Sequence, residues 1–272
     1  MTEPLIELRN VSKHFAGVKA LTDVSIAVHP GEVVCLLGDN GAGKSTLIKI
    51  LSGFHPQSSG SIHLDGQETR FADPRDARSR GIATVHQEVG TIPLMSVGRN
   101  FFLGAELKKG KRPFRWLDTE RCNSIALEQI RKFGITRVRD GDQLVGTLSG
   151  GERQVIAIGR AMYFGAKVLI LDEPTSALGV KEASTVLRFI NHAKSQGVGV
   201  VFITHNAHHA MSAGDNFVVL IQGRVAARFR RGEKSSVEVL SLMAGGEQIE
   251  DVAGEFAHLG ESDVTARPAA QG

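Results

Sequence analysis

The sequence predicts an α/β chain on a mainly parallel core sheet, and three observations carry that prediction. Short apolar runs of strand length alternate with helical segments over most of the chain. One run, Val33-Val34-Cys35-Leu36-Leu37, feeds through a glycine-rich loop into the helically spaced Leu47-Ile48-Lys49-Ile50-Leu51. From about residue 90 to 150 the strand signals vanish, as expected of a helical insertion into that core.

Taken in order, residues 5–28 read as short β pieces, Leu5 to Leu8 and Val24 to Val28, separated by Lys13-His14-Phe15-Ala16-Gly17. Pro30-Gly31 is a turn leading into the strand at 33–37. Beyond the helix at 47–51, Gly53 and Pro56 to Gly60 form a connection to Ser61-Ile62-His63-Leu64-Asp65-Gly66, expected as an edge strand. Pro74 opens a short helix, and Gly81 to Gln87 reads as another buried strand. In the insertion, Val97 to Leu103 and Thr119 to Phe133 read as helices, with Ile125, Ile130 and Phe133 on the apolar side of the second. Alternation then resumes: a helix from about Gly151 to Phe164, a strand from Val168 to Leu171, a helix from Val180 to Ser195, and strands from Val198 to Thr204 and Phe217 to Ile221. From Glu247 the chain is acidic and short of apolar residues, so residues 1–246 are expected as the folded domain and 247–272 as a loose tail.

Composition excludes several classes. Of 272 residues, 42% are apolar and 22% charged, as in a globular protein with a sizeable core. A net charge of +3 is too small over this length to argue for nucleic acid. Cys35 and Cys122 have no zinc-type spacing and read as structural thiols in a reducing cytoplasm. The N-terminus lacks the basic and apolar regions of a signal peptide, and no apolar run approaches bilayer-spanning length. Work at a membrane would therefore require docking on something else.

The loop is Gly38-Asp39-Asn40-Gly41-Ala42-Gly43-Lys44-Ser45-Thr46. Its glycines let successive N–H groups point inward at a helix N-terminus, where a chain of phosphates is attracted. Lys44 can reach β- and γ-phosphates, and the Ser45 hydroxyl can ligate Mg²⁺. A second site candidate is Val168-Leu169-Ile170-Leu171-Asp172-Glu173, an apolar strand ending in two carboxylates. Ligands of parallel sheets lie beyond the carboxyl ends of the strands, so Asp172 is placed to hold Mg²⁺ through water and Glu173 to activate an attacking water. A third is Leu148-Ser149-Gly150-Gly151-Glu152-Arg153-Gln154, a serine and two glycines at a helix mouth, able to meet another anion.

Together the three motifs resemble the ATP-binding-cassette (ABC) ATPases, over about residues 5 to 245. The resemblance implies a P-loop NTPase fold of the ABC nucleotide-binding type, with an N-terminal antiparallel β part beside the parallel core. It implies that Ser149, Gly150, Gly151 and Glu152 face the nucleotide of a partner subunit. Gln87 looks like the glutamine that senses the γ-phosphate and contacts the metal, and His205 like the switch histidine on that phosphate. Phe15 resembles the aromatic residue that stacks on adenine. Taken alone, Gln87 is an ordinary polar strand end, His205 a structural histidine and Phe15 a core phenylalanine; His208 and His209 read as helix surface. One departure is Gly179, after Asp172-Glu173-Pro174-Thr175-Ser176-Ala177-Leu178, where the family usually has an aspartate that helps couple the two sites.

The implied engine is a homodimeric clamp in which ATP and Mg²⁺ lie between two copies, Glu173, His205, Gln87 and Lys44 being the catalytic set. Gly81 to Glu106 and Leu242-Met243-Ala244-Gly245-Gly246 look like ATPase subunits of bacterial monosaccharide importers of the ribose, xylose and fructose group. With one cassette, the chain most resembles the single-cassette fructose type, which implies fructose or a related sugar as cargo. That resemblance implies a peripheral place on the cytoplasmic face of the cell membrane, docked on permease subunits that a periplasmic sugar-binding protein feeds. The rival is a soluble single-cassette ATPase of the kind that serves iron–sulfur cluster assembly. Long coiled-coil insertions, tandem cassettes and a guanine-reading Asn-Lys-x-Asp are all missing, which argues against repair, translation-factor and GTPase relatives. A basic group, Lys108, Lys109, Lys111, Arg112 and Arg115, reads as a solvated face, with lipid headgroups beside a docked permease as the competing partner.

Overall fold

The computed structural model describes residues 3–87, 90–111, 114–132, 135 and 137–245. Strands β1 (Ile6–Phe15) and β2 (Val18–Val28) form one long antiparallel hairpin, turning at Ala16-Gly17, where both residues have positive φ. Two short pieces were the expectation. Register shifts between Leu8 and Val11, and between Val11 and Lys13, break the two-residue alternation and hide the continuity of the strand.

Next come β3 (Val33–Leu37) and α1 (Lys44–Leu51), then β4 (Ser59–Leu64) and β5 (Gln67–Thr69). Asp65-Gly66, both left-handed, joins the last two as a tight two-residue turn. The first sheet has the order β2-β1-β4-β5, so the strand expected at the edge is interior and β5 forms the edge. Helix α2 (Pro74–Ser79) starts at Asp73, whose carboxylate accepts the N–H groups of Arg75 and Asp76, and leads to β6 (Ile82–Val85).

The insertion holds α3 (Val97–Phe101), the two-residue strands β7 (Lys108–Lys109) and β8 (Trp116–Leu117), and α4 (Thr119–Lys132). It is therefore not purely helical. Phe133, expected in the helix, and Arg112 lie outside the described residues, as does the expected tail from 247. The chain continues with α5 (Gly150–Tyr163), β9 (Val168–Asp172), α6 (Val180–Ser195), β10 (Gly199–Ile203) and α7 (Ala207–Ala213). It closes with β11 (Asn216–Ile221), β12 (Arg224–Arg230) and α8 (Ser236–Met243).

The second sheet runs β12-β11-β3-β10-β9-β6, parallel except for β12 against β11. Its central strands are buried on both faces. Val33, Cys35 and Leu37 of β3 pack toward the helices with Phe101, Val155 and Phe189, while Val34 and Leu36 pack toward α1 and the first sheet with Leu47, Ile50 and Leu8. β6, expected to be buried, is one edge of the sheet; its Ile82 and Val85 are buried as expected, and Ala83 and Thr84 between them are half-buried. β3 lies between β10 and β11, so the chain leaves its carboxyl end at a point where the strand order switches, the place in such sheets where a crevice opens.

Candidate functional site

The loop from β3 to α1 is shaped by close backbone approach. Gly38 has φ 142° and sits against the carbonyl of Leu220 in β11, so a Cβ there would overlap a core strand. Gly43, at φ 104°, precedes α1, and its missing Cβ would stand 2.9 Å from both the Ala20 carbonyl and a Leu21 methyl. Gly41 is also left-handed, yet nothing lies within 4 Å of where its Cβ would be. The loop is thus packed from below and open above. Lys44 is buried and folds back, its Nζ donating to the carbonyls of Gly38 at 2.7 Å and Asp39 at 3.0 Å.

Asp172 ends β9 beside Ile203 of β10, and Glu173 follows with φ 49°. A left-handed glutamate persists only where its surroundings over-determine it. Here its N–H donates to Ile203 O at 3.0 Å, while the Ser176 N–H and hydroxyl both donate to its carbonyl, at 3.1 and 2.8 Å. Glu173 Oε2 lies 3.0 Å from His205 Nδ1 without hydrogen-bond alignment, which leaves a buried acceptor oxygen open. Burial holds the Asp172 carboxyl above its ordinary range, and neighbouring Glu173 adds to this, against the opposing pull of His86 and Lys44.

These groups meet in one cavity of ≈ 490 Å³, lined by Asp39 through Thr46 together with Gln87, Asp172 and Glu173. That volume suits a ligand of nucleotide size. Gly38 supports the cavity from beneath. Ser45, Gln87 and Asp172 offer hard oxygen donors around one space, a set that suits Mg²⁺. His205 is exposed and reaches the cavity through Glu173. Phe15 is not part of the wall; the residue is 38% exposed, its ring edge-on to His55 at 5.3 Å, with Lys13 Nζ 4.9 Å from its centre. Val18, Lys19 and Ala20, and Gln222-Gly223 between β11 and β12, complete the wall and were missed from sequence. The Gln-Gly pair was the available signal, but it means a hairpin turn only once β12 is recognised.

His209 departs from expectation. It is half-buried rather than helix surface, its Nδ1 2.9 Å from Thr175 Oγ1, and burial pushes its imidazole pKa down.

Ser149 caps α5 as half of a capping box: its hydroxyl accepts the Glu152 N–H at 3.3 Å and Glu152 accepts the Ser149 N–H at 2.9 Å. Gly151 is buried where α5 meets α6, its missing Cβ 3.0 Å from that of Glu182. Ser149, Gly151 and Glu152 line a different cavity, ≈ 660 Å³, together with Lys181 and Arg188 of α6. It shares no lining residue with the cavity at Lys44. Within one chain, the serine–glycine lid and the lysine cradle do not meet. Gly179, which precedes α6, has nothing within 4 Å of where a Cβ would stand, so a side chain has room there.

Comparison with known proteins agrees with this geometry. The ABC transporter family profile matches residues 21–176. The xylose/arabinose import ATP-binding protein of Sulfolobus acidocaldarius is 40% identical over 239 residues, covering 88% of this chain and 93% of that protein. The fructose import ATP-binding protein of Rhizobium meliloti is 37% identical over 90% of this chain and 96% of its own length. The ribose import ATP-binding protein of Bacillus cereus is 40% identical over 88% of this chain, which spans only 48% of it. Among solved structures, the ADP conformation of an ATP-binding cassette of an ABC transporter superposes with TM-score 0.74 at 27% identity, over 88% of this chain and 96% of that one. A dimeric post-hydrolysis cassette bound to ADP and Pi superposes with TM-score 0.69 at 26% identity, over 84% and 100%. The chain belongs to the ABC transporter family.

Proposed function

We propose that the chain is the ATP-hydrolysing subunit of a bacterial monosaccharide importer, working as a homodimer with one ATP in each of two shared sites. The observation that carries this reading is the separation of the two cavities: the Lys44 cradle and the Ser149 lid can close on one nucleotide only if the lid comes from a second copy. The dimeric cassettes among the solved relatives support it.

In the working site, Lys44 exchanges the Gly38 and Asp39 carbonyls for β- and γ-phosphate oxygens, while the N–H groups of residues 43–46 at the start of α1 cradle the phosphate chain. In the first half of the loop the Asn40 N–H already donates to Asp39 Oδ1 and the Ala42 N–H to the Asp39 carbonyl. Adenine would stack on Phe15, which is 38% exposed and stands three residues before Val18 of the cavity wall, displacing Lys13 Nζ if it takes the same side of the ring. Ser45, Gln87 and Asp172 would hold Mg²⁺, which when bound neutralises phosphate charge. The open Oε2 of Glu173 accepts a proton from water as the water oxygen bonds to Pγ and the Pγ–O–Pβ bridge breaks toward ADP. His205, beside that oxygen, contacts the γ-phosphate. From the partner, Ser149 to Glu152 cover the same phosphate, so hydrolysis removes what joins the copies.

The force is passed through adjacent residues. Gln87 lines the nucleotide cavity, while His86 lines a groove of ≈ 450 Å³ between edge strand β6 and α5, with Phe54, Ile156 and Arg160. A cytoplasmic segment of a permease, apolar with an acidic residue for Arg160, fits that groove; a periplasmic binding protein would deliver the sugar above it. No helix among the described residues is long and apolar enough to cross a membrane. Docking through the groove is what would hold the chain at the cytoplasmic face. Xylose, ribose and fructose in the names of relatives support a monosaccharide as cargo.

The test is Glu173→Gln. With Mg-ATP this variant should run as a stable dimer by light scattering and hydrolyse at least about 100-fold more slowly than the parent chain. A variant that stays monomeric with ATP present would overturn the clamp. Stimulation of the reconstituted complex by a panel of sugar-loaded binding proteins then identifies the cargo.

A further inference from the structure

We propose that the β7–β8 hairpin is a lipid-surface contact, taking the anionic headgroup layer beside the permease. Its charge is mostly basic: Lys108, Lys109, Lys111 and Arg115 are all exposed. Of the carboxylates beside the hairpin, Asp118 meets Lys109, at 3.7 Å, and Glu106, which accepts the Gly104 N–H at 2.9 Å, draws on Lys108. A merely solvated face would end there. This one also carries Phe114, 77% exposed, and Trp116, 57% exposed. Large aromatic rings interleaved with lysine and arginine are the chemistry of a membrane–water interface, rings at headgroup depth and cations against anionic lipid.

The hairpin is built to hold these groups outward. At its base Leu107 packs on the core and its carbonyl accepts the Asp118 N–H at 2.8 Å. Lys109 pairs across the strands with Trp116. The Trp116 ring lies over Gly110, at φ 99°, where a Cβ would stand 3.2 Å from the ring, so the indole is seated yet still exposed. Position agrees. Arg160 of the proposed permease groove donates to the carbonyl of Leu103, which precedes Lys108 by only five residues. That length of chain spans at most about 17 Å, so the hairpin stands near the groove's rim. The inference rests on the reading that this groove faces the permease and hence the bilayer.

Trp116 is the chain's single tryptophan, so the full-length protein reports on itself. Without permease or nucleotide, vesicles of phosphatidylglycerol and phosphatidylcholine should float with the protein and shift its emission to the blue. Brominated acyl chains should quench that emission; pure phosphatidylcholine, or high salt, should abolish the effect. Each cation near such a surface is worth about a fivefold change in partitioning, so Lys108→Gln with Lys111→Gln should weaken binding about 25-fold, with ATP hydrolysis unchanged. Phe114→Ser should weaken binding while salt sensitivity persists. No flotation, flotation with tryptophan emission unmoved, or tighter binding to single-stranded RNA than to anionic vesicles would each overturn the proposal. ATP-dependent dimerisation of Glu173→Gln is read without lipid, so its failure and the failure of vesicle binding are distinguishable.

Discussion

Asp172 is a carboxylate that burial makes reluctant to ionise, and the consequence for stability has a definite sign. Its pKa is raised on folding, so the folded protein binds the extra proton between the unfolded and folded values, and stability falls as pH rises through that window. Above the window the folded chain holds a desolvated charge. Asp172→Asn should therefore raise the melting temperature of the nucleotide-free protein at pH 7, and the gain should shrink as pH falls toward about 4. The same variant should lose the further stabilisation that Mg-ATP confers on the parent chain. Equal melting temperatures across that pH range would refute the burial argument. Such residues were legible because chemistry and position coincide in one short run, a strand ending in two acids. His209 was not legible, since its partner Thr175 lies 34 positions away and only the fold joins them.

Among the elements, the phosphate loop separates two roles of glycine that look identical in sequence. Gly38 and Gly41 are both left-handed, but one faces the β11 backbone and the other open space. Gly41→Ala should cost the nucleotide-free protein about 1–2 kcal/mol of backbone strain. Gly38→Ala should cost about 3 kcal/mol or more, because the Leu220 carbonyl belongs to a core strand and cannot retreat. Urea denaturation of both variants checks this; similar losses would mean the loop moves freely against the sheet. Helix α6 was read to its ends from sequence, since its apolar positions keep one helical stripe from Ala183 to Ala193 and Gly197 follows shortly after its end. β12 and the β7–β8 pair escaped notice. In Arg224–Arg230 the arginines mask the alternation, and strands of two residues carry no period. The β1–β2 hairpin was seen in pieces because bulges reset its register.

At the scale of the whole molecule, the sequence revealed both halves of the engine, and the resemblance implied that they act from different copies; the structure adds that they line two cavities with no residue in common. This makes a mixing experiment decisive. Lys44→Ala spoils the cradle and Ser149→Phe spoils the lid, so each variant alone should form no working site. In a heterodimer of the two, one site combines both defects, while the other joins the intact Lys44 of one copy to the intact Ser149 of the other. With random exchange about half the dimers are mixed, and each holds one good site of two, so hydrolysis should recover to about a quarter of the parent value. If each chain completed its own site, mixing would recover nothing. If both sites had to be intact for either to turn over, hydrolysis would again stay flat, but ATP would still hold the mixed dimer together more tightly than either homodimer by light scattering, whereas a site made within one chain would give ATP no such effect, which separates the two cases.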